Sequence, residues 1–161
     1  MEKEHIKNVT EEELNQYLKS IGGLEYGYRE YYWGDNIVRL WAFKIARWIL
    51  YKFPYDKRPR NPFRDRIYDC GFFEIGKGWY GLVKSLIEKA ITAGWDKEIC
   101  QVKEKYAGLR FYINGASKEV HDIIHEYENL SYHICEDCGE PGEERPGGWI
   151  RTLCDNCNKN E

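Results

Sequence analysis

The chain has 161 residues, the length of one domain or of one domain with a small appended module. It is 42% hydrophobic and 16% aromatic, which supplies enough large apolar area for a core and excludes wholesale disorder. The net charge of −3 is unevenly distributed, so a matching charged partner is not excluded by the total.

Thr10-Glu-Glu-Glu13 predicts a capping box, with the Thr10 hydroxyl and the Glu13 carboxylate covering free amides at a helix start. That helix should run to about Ser20 and stop at Gly22-Gly23. Residues 24–34 are aromatic and glycine-punctuated and support no firm assignment. Asp35 is the expected cap of a second helix over 36–52. Its stripe of Ile37, Trp41, Ile45 and Trp48, with Val38 and Ile49 beside it, predicts a largely buried element. The stretch Pro54 to Pro62 holds three prolines and excludes regular helix. Gly71 to Gly78 is a second irregular stretch.

A third helix is expected over 79–93, with Trp79, Leu82, Val83, Leu86, Ala90 and Ala93 on one face and Gly94 ending it. Between Glu98 and Asn114, Cys100 and Val102 alternate with polar residues. After Ala107-Gly108, Leu109, Phe111 and Ile113 do the same, so the segment reads as a hairpin with one buried face. A fourth helix over 117–130 buries Val120, Ile123, Ile124 and Tyr127 and turns an acidic face outward.

From Arg39 to Arg66, nine basic residues stand against Asp56 and Asp65, a balance of +7; from Lys118 to Arg145, two basic residues stand against nine acidic ones, a balance of −7. Such polarity suits a partner with the opposite field, or pairing of the two segments with each other. The apolar stretch from Leu40 to Phe53 is interrupted by Lys44, Arg47 and Lys52 and is too short to span a bilayer. Met1-Glu-Lys-Glu-His5 lacks the apolar core of a signal peptide, so a cytoplasmic location with no membrane partner is expected.

The tail carries Cys135-Glu-Asp-Cys138 and Cys154-Asp-Asn-Cys157, separated by 15 residues, the spacing of a four-cysteine zinc site. A two-residue gap lets both thiolates of a knuckle face one ion, and two knuckles complete a tetrahedron with Zn–S bonds of about 2.3 Å. Four protein ligands leave no position for water, so the expected cofactor is structural Zn2+. The competing reading, redox-active dithiols, needs only one pair and usually sits beside a βαβ unit. Pro141-Gly142 and Pro146-Gly-Gly148 suit a short ribbon hairpin between the knuckles.

His121 and His125 stand four apart, but no third ligand is evident and a solvated helix face is the better reading. His133 precedes the first knuckle without being needed by it. Cys100 reads as a small buried hydrophobe, and Cys70 lacks a nearby base that would make it a nucleophile. A nucleic-acid or anionic-partner surface would use Lys57, Arg58, Arg60, Arg64 and Arg66 of the proline-rich loop, extended by Lys103, Lys105 and Arg110 on the outer face of the hairpin. No phosphate-binding loop, Ser-His-Asp set or nuclease His-Asn pair is present, which makes an enzyme the minority reading.

Three groups of residues carry a likeness. They are Gly78-Trp-Tyr-Gly-Leu-Val83, the hairpin Gln101-Val-Lys-Glu-Lys-Tyr-Ala-Gly-Leu-Arg-Phe-Tyr-Ile113, and the tail pieces Cys135-Glu-Asp-Cys-Gly-Glu-Pro-Gly142 and Gly148-Trp-Ile-Arg-Thr-Leu-Cys154. Together they resemble a family of uncharacterised bacterial and bacteriophage proteins with a Gly-Trp-Tyr helix start, a QVKEKFGGLRFY-like hairpin and C-terminal cysteine knuckles. The resemblance covers about 68–158, and Ala107 stands where the family usually has glycine. It implies no established activity, but it implies a phage or mobile-element setting, in which small proteins often bind and redirect a host complex.

The expected fold class is α+β, with helices on a small antiparallel hairpin or sheet and a C-terminal zinc ribbon. The expected division is 1–66 (a helical region with the basic loop), 67–131 (an α+β core) and 132–161 (the zinc module). The expected function is a non-enzymatic binding protein of phage type that engages a host protein or nucleoprotein complex, as an inhibitor of antiviral defence. A nucleic-acid-binding zinc protein is the rival and a metal-dependent nuclease the weaker alternative; the oligomeric state is left open.

Overall fold

The computed structural model describes residues 6–26, 37–54, 62 and 66–159. Helix α1, Glu11–Ser20, begins on the expected capping box. The Glu13 amide donates to the Thr10 hydroxyl at 3.2 Å, and the Thr10 amide donates to the Glu13 carboxylate at 2.7 Å. Gly22 and Gly23, with φ of +79° and +74°, end it in the left-handed region that glycine tolerates. The chain then enters strand β1, Leu24–Tyr26, buried at all three positions.

Helix α2, Ile37–Leu50, forms where the periodicity places it, but the other way round. Phe43 is buried, while Ile37, Val38, Trp41, Ile45, Trp48 and Ile49 are exposed. The expectation of a buried stripe is therefore overturned. Just past the end of the helix, the Tyr51 hydroxyl donates to the Asn114 side chain at 3.0 Å. Its expected cap, Asp35, lies outside the described residues, as does most of the proline-rich loop.

Strand β2, Arg66–Ile67, leads to a 3-10 turn at Cys70–Phe72 and a second at Lys77–Trp79. The second turn feeds helix α3, Tyr80–Thr92, which Gly94 ends at φ +88°. Strands β3, Glu98–Lys105, and β4, Gly108–Ile113, form the expected hairpin. The hairpin belongs to a four-stranded sheet of order β2-β1-β3-β4, in which β1 is antiparallel to β2 and parallel to β3. Helix α4, Lys118–Ser131, is capped by the Ser117 hydroxyl.

Two details of the hairpin depart from expectation. Its turn is Tyr106-Ala107, with φ of +53° and +61°, one residue earlier than Ala107-Gly108. Gly108 instead opens β4, where an added Cβ would stand 2.5 Å from the Tyr132 ring. The second departure is a bulge: Ile99 pairs with Ile113 and Gln101 with Tyr112, which leaves Cys100 as the extra residue. Ile99 and Val102 are buried, and Cys100 is only half-buried.

One buried cluster joins Leu14, Leu18 and Leu24 to Trp79, Leu82 and Leu86 of the third helix and its entry turn, to Val102, Leu109 and Phe111 of the sheet, and to Val120 and Tyr127 of α4. Helix α1 and strand β1 thus share a core with 67–131. Tyr127 satisfies its buried hydroxyl against Ser85 at 2.9 Å, and Trp95 meets Phe111 edge to face at 5.5 Å. Among the described residues no helix is long and apolar enough to cross a membrane.

Candidate metal centre

The tail folds back on this core. Strands β5, Glu143–Arg145, and β6, Arg151–Leu153, pair antiparallel, and a short helix, α5, Asp155–Asn158, follows. The hairpin tip at 146–150 is exposed throughout, as its Pro and Gly residues suggest. At its base the two Cys-x-x-Cys segments converge.

Each segment is shaped by its own backbone. In the first, the Cys135 amide donates to the Glu140 carbonyl at 2.8 Å and the Gly139 amide to the Cys135 carbonyl at 2.8 Å. Gly139 sits at φ +84°, a conformation costly for a residue with a Cβ. In the second, Cys154 caps α5, its sulfur accepting the Cys157 amide at 3.4 Å. That amide is the main cause pulling the Cys154 thiol down to about 7. The hydrogen bond that the Cys157 thiol donates to Cys154 pushes Cys157 upward, and burial pushes Cys138 upward.

The four sulfurs of Cys135, Cys138, Cys154 and Cys157 all lie within 4.8 Å of one another, with Cys138 and Cys154 at 3.6 Å. A tetrahedral thiolate site with metal–sulfur bonds of about 2.3 Å has edges of about 3.8 Å, so the set fits a metal ion. The separation is far beyond a disulfide bond, and all four are free cysteines. Four thiols this close cannot all ionise against their mutual repulsion without a cation between them.

The centre is built into the core. The Gly78 amide donates to the Glu136 carbonyl at 2.7 Å, and the Trp79 indole to the Ile134 carbonyl at 2.7 Å. The Thr152 hydroxyl donates to the Ala107 carbonyl at 2.7 Å, which ties β6 to the turn of the main hairpin. Asn8 is a clamp that sequence reasoning missed. Its amide group reaches the Lys77 and Cys138 carbonyls at 3.2 and 3.4 Å, and its oxygen accepts the Gly81 amide at 3.0 Å. No local motif could reveal a contact 130 residues away in the chain.

Part of the acidic segment is neutralised within the module. Arg151 pairs with Glu136 at 2.7 Å and Asp137 at 2.6 Å, and Arg145 pairs with Glu143 at 2.8 Å and Asp155 at 2.6 Å. Burial raises the Glu136 carboxyl above its ordinary value in spite of Arg151.

A second convergence, also missed by sequence reading, joins Glu11, Asp69 and Cys70. Asp69 is occupied in accepting the Gly71 amide at 2.8 Å. Burial, with Glu11 and Asp69 adding to it, pushes the Cys70 thiol up to about 11, which makes it a poor nucleophile and a poor ligand.

Of the proposed binding cations, Lys57, Arg58, Arg60 and Arg64 lie outside the described residues, and Arg66 is exposed in β2. Lys103 and Arg110 are cross-strand partners on the hairpin. Arg110 is committed internally, donating to the Leu109 carbonyl at 2.7 Å and the Tyr132 hydroxyl at 2.8 Å. Lys103 lies over Tyr112 and Lys105 over the exposed Tyr106. His121, His125 and His133 are exposed and outside both side-chain clusters. The chain matches no family model, no curated protein and no solved structure.

Proposed function

We propose that this chain is a non-enzymatic, zinc-stabilised binding protein of phage or prophage type. It acts in the cytoplasm on a host protein or nucleoprotein complex, as an inhibitor of antiviral defence. The observation that carries the reading is the closed set of four sulfurs. An ion bound by four cysteines has no site for water or substrate, so it serves the fold. Zinc suits the set because it takes tetrahedral thiolates without geometric preference or redox chemistry. Burial raises the Cys70 thiol, which weakens that cysteine as a nucleophile. The phage setting rests on the motif resemblance.

Elemental analysis of the purified protein should give one zinc per chain, lost when Cys135 and Cys154 are both replaced by Ser. A pull-down from host lysate with the zinc-loaded protein, with and without nuclease, tests the partner. One stoichiometric protein retained after nuclease treatment supports the reading. A hydrolase or transferase activity that co-purifies and is abolished by a point mutation overturns it.

The cation–aromatic pairs Lys103–Tyr112 and Lys105–Tyr106, whose rings are exposed, favour a second reading, nucleic-acid binding through the outer face of the hairpin. Phosphate contact would appear as affinity falling with salt, by roughly 0.9 log units per contact for each tenfold rise.

A further inference from the structure

The β3–β4 hairpin turns one face to the core and the other away from it. Val102, Leu109 and Phe111 are buried on the inner side. The cross-strand pairs Lys103–Arg110 and Gln101–Tyr112 place those four side chains on the opposite face, and Lys105 joins them two residues after Lys103. Tyr112 is 41% exposed, and Tyr106, in the turn beside Lys105, is 70% exposed. The Lys103 amine stands 5.8 Å from the centre of the Tyr112 ring and the Lys105 amine 5.3 Å from that of Tyr106. The two rings thus mark the ends of a basic strip. From Gln101, opposite Tyr112, to Lys105, the strand rises about 13 Å at about 3.3 Å per residue.

The surroundings leave this strip available to an anion. Among the described residues neither lysine has a carboxylate within ion-pair distance. The nearby carboxylates are engaged with amides of the chain itself. Glu104 accepts from the Ala107 amide at 2.8 Å, Glu128 from the Phe111 amide at 2.9 Å, and Glu74 from the Gln101 side chain at 3.2 Å. Arg110 adds charge to the face while its guanidinium donates to the Leu109 carbonyl and the Tyr132 hydroxyl. The outer edge of β4 is closed as well, because its Leu109 amide donates to the Ser131 hydroxyl at 2.8 Å and its Phe111 amide to Glu128. A protein partner adding a further strand would find those amides occupied.

We propose that this face binds single-stranded nucleic acid, with one base stacking on Tyr112, another on Tyr106, and the phosphates between them meeting Lys103 and Lys105. This rests on the nucleic-acid reading of the hairpin and adds the form of the polymer. A tyrosine ring needs the open face of a base. In a duplex those faces are covered by neighbouring base pairs, whereas an unpaired strand offers one with every nucleotide. A duplex would be left with the lysines alone, and two phosphate contacts hold it weakly. In a chain of net charge −3 the attraction has to be local, which suits a short strip of paired cations and rings.

The test uses the full-length, zinc-loaded protein and fluorescence anisotropy with labelled oligonucleotides of about 16 nucleotides. The probes are oligodeoxythymidine, oligouridine and a DNA duplex of the same length. At least one single strand should bind about tenfold or more tightly than the duplex. Tyr106→Asn and Tyr112→Ala should each weaken that binding by about five- to a hundredfold, with the melting transition retained because both rings are exposed. The double variant Lys103→Gln/Lys105→Gln should flatten the slope of log affinity against log salt by about 1.4. Tighter binding of either single strand supports the proposal and names the polymer, through its 2′-hydroxyl or the lack of one. Equal binding of the duplex overturns the proposal and leaves the wider nucleic-acid reading standing. Absence of binding to every oligonucleotide overturns both. Single-strand binding that the tyrosine variants leave untouched, or that polyglutamate displaces equally well, also overturns the proposal, since charge alone would then carry the contact.

Discussion

Replacing Gly78 by alanine tests whether the metal module is fused to the core through the backbone. A Cβ at this position meets the Cys135 carbonyl oxygen and stands 2.5 Å from the Gly139 nitrogen and 2.7 Å from the Cys138 nitrogen. All three are backbone atoms, so no side-chain rotation relieves the contact. Ordinary contact begins at 3.4 Å, so the Gly139 nitrogen has to retreat by 0.9 Å, the difference between 3.4 and 2.5. That movement separates the Gly78 amide from the Glu136 carbonyl, now at 2.7 Å, and strains the Asn8 clamp. Overpacking costs about 1–3 kcal/mol, and the lost hydrogen bond adds about 1 kcal/mol. Gly78→Ala should therefore destabilise by about 2–4 kcal/mol in urea titrations at fixed free zinc. It should also release zinc to a chromogenic chelator at least about tenfold more readily, a loss of 1.4 kcal/mol in binding.

Gly94→Ala is the matched control. Nothing lies within 4 Å of its added Cβ, but its φ of +88° makes any L-residue strained. It should cost about 1 kcal/mol and leave zinc retention unchanged. If Gly78→Ala held zinc as firmly as the wild type and cost no more than the control, the close approach of the first knuckle to the turn before α3 would be wrong.

Three further substitutions probe single contacts. Ser131→Ala removes the acceptor of the buried Leu109 amide, now at 2.8 Å, and should cost about 1–3 kcal/mol by thermal melting. Tyr106→Asn should stabilise by about 0.5–1 kcal/mol in chemical denaturation, since Tyr106 is exposed at φ +53° in a turn that favours asparagine. The Cys70 thiol loses its proton at about 9 when unfolded and at about 11 when folded, so its contribution is intact below pH 9 and is lost as pH rises towards 11. Stability measured from pH 8 to 11 should fall by up to about 1.4 kcal/mol per unit above 9 through this group, and Cys70→Ala should flatten that part of the curve.

The sequence was legible where a signal is local and long enough to repeat. The α1 capping box, the α3 and α4 stripes and the alternation of Leu109, Phe111 and Ile113 each appear where the pattern places them. Strands β1 and β2 escaped because three and two residues are too few to show a period of two. The bulge at Cys100 put Ile99 on the buried face, and no composition marks a bulge in advance. The α2 stripe was read correctly as a stripe and wrongly as core. Periodicity locates an apolar face without saying whether the rest of the chain covers it. The spacing of the cysteines identified the donor set, while Asn8, its tie to the body of the protein, lies too far away in sequence for any motif to include it.

Residues 78–83, the β3–β4 hairpin and the cysteine-bearing tail are parts of one contact surface. Gly78 and Trp79 at the start of α3 meet the backbone from Ile134 to Gly139. The hairpin turn accepts the Thr152 hydroxyl from the tail, and Gly108 makes room for Tyr132 just ahead of the first knuckle. Arg151 then reaches back from β6 to Glu136 and Asp137 inside that knuckle. A change in any one segment therefore has to be accommodated by the other two. Cys135 and Leu153 are fully buried, so an ion held by the four cysteines would brace one wall of the core.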